Sequence, residues 1–172
     1  MIDKIGLSIL TMFGIGYIKY APGTVASLVT CLLYYILTVI EINFKYFLFI
    51  FIILLIYSII FIDKLSHHFK KKDPEEIVID EFFGQSVPLL VPIMMSTSFN
   101  FRKEEFFFFF SAFFLFRFFD ILKPFPINLI DKKMKNGLGV ILDDIVAGIY
   151  TIITISISMF VYFVTSNFFN HA

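Results

Sequence analysis

Five acidic side chains stand at the ends of long apolar segments: Asp80, Glu81, Asp120, Asp143 and Asp144. An ionised carboxylate close to hydrocarbon is costly unless it meets a cation, so acids kept at a membrane boundary are candidates for function. Several carboxylates at one level of a membrane suggest a hard divalent cation, because magnesium takes oxygen ligands and keeps some of its waters. The pattern therefore points to metal-assisted chemistry on a phosphate at the membrane surface.

A second group of charged residues follows a helical spacing in the sequence LFRFFDILKPFP. Arg117, Asp120 and Lys123 are three residues apart and so share one face of a helix. The planar guanidinium of Arg117 suits two-point binding of a phosphate group. The alternative is an Arg–Asp pair that neutralises itself near lipid, beside a lysine that extends to the surface. We favour phosphate binding, because an arginine within an apolar segment is costly.

The two acidic pairs also have a simpler interpretation as helix caps. Asp80 and Glu81 begin one apolar segment, and Asp143 and Asp144 immediately precede another, after a flexible approach that contains two glycines. Acids at helix starts commonly complement the helix dipole, so for the first pair this alternative stays open. Two adjacent carboxylates exceed what capping needs, and for the second pair we favour metal binding.

The start of the first apolar segment, in YAPGTVASL, is a further candidate for phosphate binding. Gly23, Thr24 and Ser27 would place free backbone N–H groups and small hydroxyl groups at a helix N-terminus, which can bind an anion. Small residues are common at helix starts, so this signal is weak when it is considered alone.

The composition is that of a membrane protein. Of 172 residues, 59% are hydrophobic and 16% are charged, and the mean hydropathy is +0.88. The net charge of zero provides no field that would recruit nucleic acid, and the single cysteine, Cys31, excludes a disulfide within one chain.

The apolar segments predict an all-α fold, a polytopic membrane helical bundle that forms one membrane domain over residues 1–172. We expect four to five membrane segments, at about 24–40, 46–62, 82–99, 104–120 and 145–164. The third contains Pro88 and Pro92 and either crosses as a kinked helix or is re-entrant, because irregular backbone survives at membrane depth only when protein or a water-filled cavity surrounds it.

The basic residues predict the orientation of the chain. If all five segments cross, eleven of the 14 Lys and Arg residues lie on the side of the N-terminus, and Lys45, Arg102 and Lys103 lie on the other. The positive-inside rule places the more basic side in the cytoplasm. All five highlighted acids fall on that side, although they were not used to set the topology.

Four blocks of this sequence together resemble the phosphatidylglycerophosphatase A family of bacterial inner-membrane lipid phosphatases. They are APGTVASL, KKDPEEIVIDEFFGQ, FRFFDILKPFPI and GLGVILDDIVAG, which occur in the family order between Ala21 and Gly148. The resemblance implies magnesium-dependent removal of the terminal phosphate of phosphatidylglycerophosphate, which yields phosphatidylglycerol at the cytoplasmic face of the inner membrane.

With this resemblance, each candidate residue acquires an expected role. Magnesium would be held directly or through water by four carboxylates: Asp80, Glu81, Asp143 and Asp144. Arg117 and Lys123 would bind phosphate, with Thr24 and Ser27 as further phosphate contacts, while Asp120 would orient Arg117 or join the metal shell. The sequence leaves open which carboxylate acts as the general base, and a covalent aspartyl phosphate stays an alternative.

Other classes of protein fit the sequence less well. The chain has no C-x5-R cysteine phosphatase loop, no DxDx[TV] motif and no DGxxAR…GxxxD…D pattern of CDP-alcohol phosphotransferases. The competing class is a small cation transporter or another non-enzymatic membrane protein with an interfacial metal site. A transporter should carry acids near the middle of the bilayer, whereas here they cluster at one interface. The expected partners are the phospholipid substrate and the membrane, with no nucleic acid and no protein partner implied.

The orientation can be tested with cysteine probes. From the distribution of Lys and Arg, we expect probes at Lys70–Lys72 and near Lys133 to react only with reagents added on the cytoplasmic side, and probes near Arg102 only with reagents added outside. The same accessibility at Arg102 and Lys71 would instead show that the third segment is re-entrant.

Overall fold

A computed structural model describes residues 2–66, 76–94 and 103–170, and all regular secondary structure in these ranges is helical. In chain order the helices are α1 (Ile2–Leu10), α2 (Pro22–Val39), α3 (Phe44–Ser66), α4 (Ile79–Met94), α5 (Lys103–Leu122), α6 (Ile127–Lys133) and α7 (Gly137–Asn170), with a 3₁₀ turn at Ile15–Tyr17. The predicted all-α class is confirmed for these residues. The predictions for Lys70–Lys72, Arg102 and the end of the third segment, 95–99, lie outside the described residues.

Three of the described helices are long and apolar enough to cross a membrane: α2, α3 over Phe44–Leu65, and α7 over Gly137–Phe168. The prediction of four to five membrane segments is therefore supported for three. Helix α4 has 16 residues, about 24 Å at 1.5 Å per residue, which is short for a hydrocarbon core of about 30 Å. Whether α4 and the 20-residue α5 cross stays a prediction.

Helix α4 is the centre of the bundle and packs most extensively against α7 and α2. It continues through Pro88 and Pro92, although each proline lacks the N–H that an α-helix would use at that position. Pro88 therefore leaves the carbonyl of Gly84, four residues earlier, without its helical partner. That carbonyl faces α7 at Gly148, where a Cβ atom would collide with it. The helix tolerates the proline at the point where α7 comes into backbone contact.

Helix α7 begins eight residues before the predicted segment at 145, so the expected flexible approach is wrong. Its first turn is capped by other residues. The Asn136 side chain accepts a hydrogen bond from the N–H of Gly139 at 3.0 Å, and Asp63 of α3 accepts one from the N–H of Gly137 at 2.6 Å. Asp143 and Asp144 consequently lie in the second turn of α7, and helix capping does not explain them.

The ends of several helices meet on one side of the bundle. The chain leaves α5 through a tight turn at Lys123–Pro126 and enters the short helix α6, which packs against α7. The hydroxyl of Tyr150 on α7 donates to the carbonyl of Phe125 at 2.9 Å and holds this turn in place. As a result, the starts of α2, α4 and α7 and the end of α5 surround one space.

Candidate active site

The space between these helix ends is a cavity of about 330 Å³ that carries a concentrated charge. Its lining includes six carboxylates, on Asp80, Glu81, Asp120, Asp131, Asp143 and Asp144, and three cations, on Arg117, Lys123 and Lys135. With all of these groups ionised, six negative charges face three positive ones. The described part of the lining therefore carries three negative charges in excess, in a partly enclosed setting where charges are poorly screened.

Three of the carboxylates converge closely enough to share one cation. One oxygen from each of Asp80, Glu81 and Asp144 lies within 4.8 Å of the other two. The first two residues come from the first turn of α4, and the third comes from the second turn of α7, so the triad depends on the packing of these helices. An all-oxygen set of this kind suits a hard cation such as magnesium or calcium.

The triad and the neighbouring Asp143 have carboxylate oxygens that the described part of the protein does not satisfy. Asp80 Oδ1, Glu81 Oε2, Asp143 Oδ1 and Asp144 Oδ2 are buried and accept no hydrogen bond from the described part of the chain. Buried carboxylate oxygens without partners are costly, and in native proteins they are paired or coordinate metals. The donor atoms present therefore fit a bound cation.

Lys123 connects the cluster to a sixth acid, Asp131 of α6. Its Nζ atom lies 2.8 Å from Asp143 Oδ2 and 3.2 Å from Asp131 Oδ1. Burial alone would lower the pKa of Lys123, but the hydrogen bonds and charges of these two carboxylates raise it above its ordinary value. Lys123 therefore stays protonated. It reaches this position because its backbone is left-handed (φ 43°), which turns the chain sharply at the end of α5.

Arg117 also lines the cavity and pairs with Asp120. Its Nη1 atom is 2.7 Å from Asp120 Oδ2 and 3.8 Å from Glu81 Oε1. The side chain of Arg117 is 15% exposed and that of Asp120 is 13% exposed, and both line the cavity. Asp120 and Asp144 both line the cavity. It is thus placed for either of the two roles expected of it, which are to orient Arg117 and to join the triad.

The start of α2 contributes Ala21, Pro22 and Gly23 to the cavity lining, and the predicted phosphate contacts of Thr24 and Ser27 stay a prediction. Ala21, Pro22 and Gly23 line the cavity, whereas Thr24 and Ser27 do not. The hydroxyl of Ser27 is fully buried and donates to the carbonyl of Gly23 at 2.9 Å, within its own helix. A Cβ atom on Gly23 would collide with Glu81 Oε1, so glycine is what allows this carboxylate to pack against α2.

Two of the charged lining residues, Asp131 and Lys135, were missed in the sequence. They belong to IDKKMKNG, a charged stretch that is typical of a solvated surface. Their spacing of four residues predicts at most a weak helical ion pair, and the structure gives a separation of 3.9 Å. The useful signal was the Lys-Pro turn eight residues before Asp131, which folds α6 back over the end of α5.

Comparison with known proteins gives one consistent family. The family model described as phosphatidylglycerophosphatase A matches residues 8–159. A phosphatidylglycerophosphatase A of Haemophilus influenzae is 37% identical over 143 residues, 83% of this chain and 82% of the relative. The protein of that name from Escherichia coli K12 is 26% identical over 80% of this chain and 73% of its own length. A putative phosphatidylinositol-3-phosphatase of Bacteroides thetaiotaomicron is 31% identical over 88% of this chain and 91% of its own length. No solved structure matches the chain.

Asparagine substitutions separate cation binding from helix capping. Asparagine caps a helix about as well as aspartate but carries no charge. We therefore expect Asp80→Asn and Asp144→Asn each to lower phosphatase turnover by about 10²-fold or more, while the protein still inserts and purifies normally. Asp63→Asn is the matched control, because Asp63 does cap α7 and does not line the cavity; its turnover should stay near that of the unchanged protein. Near-normal turnover in both cavity variants would show that Asp80 and Asp144 do not bind a catalytic cation.

The structure also predicts which part of α2 matters. Gly23→Ala places a methyl group against Glu81 and should lower turnover by about tenfold or more, because displacing a reacting group by even 1 Å is costly. Ser27→Ala removes only a hydroxyl that bonds its own helix and should have little effect. Steady-state kinetics on both variants would check this, and the reverse order of effects would restore the hydroxyl as a phosphate ligand.

Proposed function

The chain belongs to the phosphatidylglycerophosphatase A family of enzymes, and we propose that it uses magnesium to hydrolyse the terminal phosphate of phosphatidylglycerophosphate at the cytoplasmic face of the membrane. One observation carries the metal requirement. The cavity combines a triad of carboxylates with buried oxygens that have no partner in the described chain. A phosphate monoester is an anion, and a lining with excess negative charge would repel it unless a cation is bound.

Four residues would hold the cation. Asp80, Glu81 and Asp144 offer converging oxygens, and Asp143 has one oxygen on Lys123 and another that is free to bind metal or metal-bound water. When bound, magnesium would polarise the phosphoryl oxygens and lower the pKa of a coordinated water. The carboxylates are fixed by two helices that pack in backbone contact, so little reorganisation is needed when charge develops on the phosphate.

Two of the cations that line the cavity would hold the phosphate. Arg117 has a planar fork whose orientation is set by Asp120 at 2.7 Å. Lys123 stays protonated between Asp143 and Asp131 and supplies a second positive charge at the cavity wall. Together these two residues would hold the phosphoryl group while water attacks phosphorus and the bond to the glycerol oxygen breaks. The products are inorganic phosphate and the lipid alcohol.

The arrangement disfavours the transporter alternative. The six carboxylates lie near helix ends: in the first turn of α4, in the last turns of α5 and α6, and in the second turn of α7. An ion path across the membrane needs ligands along the spans, and acids near the bilayer centre are its usual sign. A site at one end of the bundle, next to membrane-spanning helices, instead suits a headgroup that lies at the interface.

A second candidate substrate is a phosphoinositide. The Bacteroides relative is named as a putative phosphatidylinositol-3-phosphatase and aligns with most of this chain. Both substrates are lipids with a phosphate monoester on the headgroup, so the charged residues described above would serve either one. The two substrates differ in the size of the alcohol that carries the phosphate.

Chelation and headgroup comparison test this proposal together. We expect purified protein in detergent micelles to release phosphate from phosphatidylglycerophosphate, to lose this activity with EDTA and to regain it with added magnesium. Magnesium should also raise the melting temperature of the unchanged protein but not that of Asp144→Asn, because a ligand that binds only the folded state stabilises it. Full activity after exhaustive chelation would contradict the metal requirement. Faster turnover of phosphatidylinositol 3-phosphate would move the substrate to the second candidate.

A further inference from the structure

The connection between α1 and α2 is an ordered and strained segment. Thr11, which is buried, accepts hydrogen bonds at its carbonyl from the N–H groups of Gly14 at 3.1 Å and Gly16 at 3.0 Å. Between them the backbone of Met12, Phe13 and Gly14 is left-handed, with φ of 46°, 57° and 100°. Non-glycine residues in this region are strained, and they persist only where the surroundings fix them. The side chains of this segment therefore have defined directions.

Four large apolar side chains of this segment are exposed and do not pack against the protein. Phe13 is 87% exposed, Tyr17 64% and Tyr20 76%, and Ile18 is also exposed. We call these four residues the aromatic patch. Lys19 lies among them, with its Nζ atom 5.5 Å from the centre of the Tyr20 ring. Tyrosine next to lysine is a composition typical of the membrane–water interface, where the ring lies in the headgroup region and the charge reaches water.

The position of the aromatic patch relative to the membrane follows from its neighbours. Tyr20 is two residues before Pro22, the first residue of a helix that can cross the membrane. The segment is also held against the residues just before α4, because the N–H of Val78 donates a hydrogen bond to the carbonyl of Leu10 at 3.0 Å. The patch therefore lies at the level of the cavity, beside the wall formed by Ala21–Gly23.

We propose that the aromatic patch lies in the headgroup region of the membrane on the cavity side and binds phospholipid there, so that the lipid substrate enters the cavity laterally, past Tyr20. The second part rests on the proposed function; the first part does not. Phe13 and Tyr17 would extend between the upper acyl chains, Lys19 would pair with anionic headgroups, and Tyr20 would lie between lipid and cavity. A substrate that stays in the membrane would then reach Arg117 and Lys123 without leaving the bilayer.

Lipid fits this surface better than a protein partner does. Stable protein interfaces bury about 800 Å² per partner, and a patch of four side chains on one short segment is small for that purpose. Exposed Lys19 adds positive charge within the patch, which complements an anionic membrane surface.

Single tryptophan residues can measure the depth of the patch, because the chain contains no tryptophan. Phe13→Trp, Tyr17→Trp and Tyr20→Trp would be reconstituted into vesicles of phosphatidylcholine and phosphatidylglycerol. Phe160→Trp, on the exposed apolar part of α7, and Lys133→Trp, at the end of α6, provide the lipid and water references. We expect the three patch variants to show blue-shifted emission, strong quenching by lipids brominated near the headgroup end of the acyl chain, and weak quenching by aqueous acrylamide. Emission and acrylamide quenching equal to those of Lys133→Trp would place the patch in water and overturn the proposal.

Kinetics test the entry route separately. In the double variant Phe13→Ser/Tyr20→Ser we expect KM, expressed as the mole fraction of lipid substrate in vesicles, to rise about fivefold with kcat unchanged, because only uniform binding is lost. A short-chain, water-soluble form of the substrate should be hydrolysed as before. Tyr162→Ser, an equally exposed tyrosine of α7 away from the cavity, is the matched control and should change neither constant. An unchanged KM for the vesicle substrate would overturn lateral entry. If no lipid phosphate is hydrolysed at all, the proposed function fails while the fluorescence result still decides the position of the patch.

Discussion

Mutual repulsion among buried carboxylates is the constraint on which this structure depends. Among the described residues, six acids and three cations line one cavity at the ends of four helices. Lys123 neutralises part of this charge by contacting Asp143 and Asp131 at once, and Arg117 does the same for Asp120. The remaining acids gather at the contact of α4 with α7, where their oxygens lack partners in the described chain. A divalent cation there would connect the two helices, so binding of metal and packing of the bundle are linked.

Much of the site could be predicted because its residues are marked locally. Acids at the ends of apolar segments are conspicuous in any sequence, and the three-residue spacing of Arg117, Asp120 and Lys123 defines one helix face without tertiary information. The all-α class follows from apolar segments of sufficient length. The mistake about the start of α7 has a tertiary origin, since glycines at its N-terminus favour a loop locally, and the Asp63 carboxylate that caps it comes from α3. Sequence spacing does not reveal such a partner.

The contribution of α2 shows the same limit in another form. A helix start rich in small residues predicts phosphate contacts from the hydroxyls of Thr24 and Ser27, because hydroxyl groups have recognisable chemistry. What the structure requires at this point is the absence of a side chain, since Gly23 lets Glu81 pack against the helix. Close approach depends on which helix lies opposite, and only the fold supplies that information. The same holds for Asp131, which becomes part of the cavity when the turn after α5 folds α6 back.

The crossing of α4 and α7 has a consequence for which ion the site can accept. Gly84 lies against the backbone of Asp144, and Gly148 lies against the Gly84 carbonyl that Pro88 leaves unpaired. Asp80 belongs to α4 and Asp144 to α7, so the distance between their oxygens varies with the separation of the two helix axes. Any added volume at either glycine would push the axes apart and favour an ion of larger radius. In the proposed metal site, discrimination between cations of different size would thus be governed by Gly84 and Gly148 on the helix backbones as much as by the carboxylates themselves.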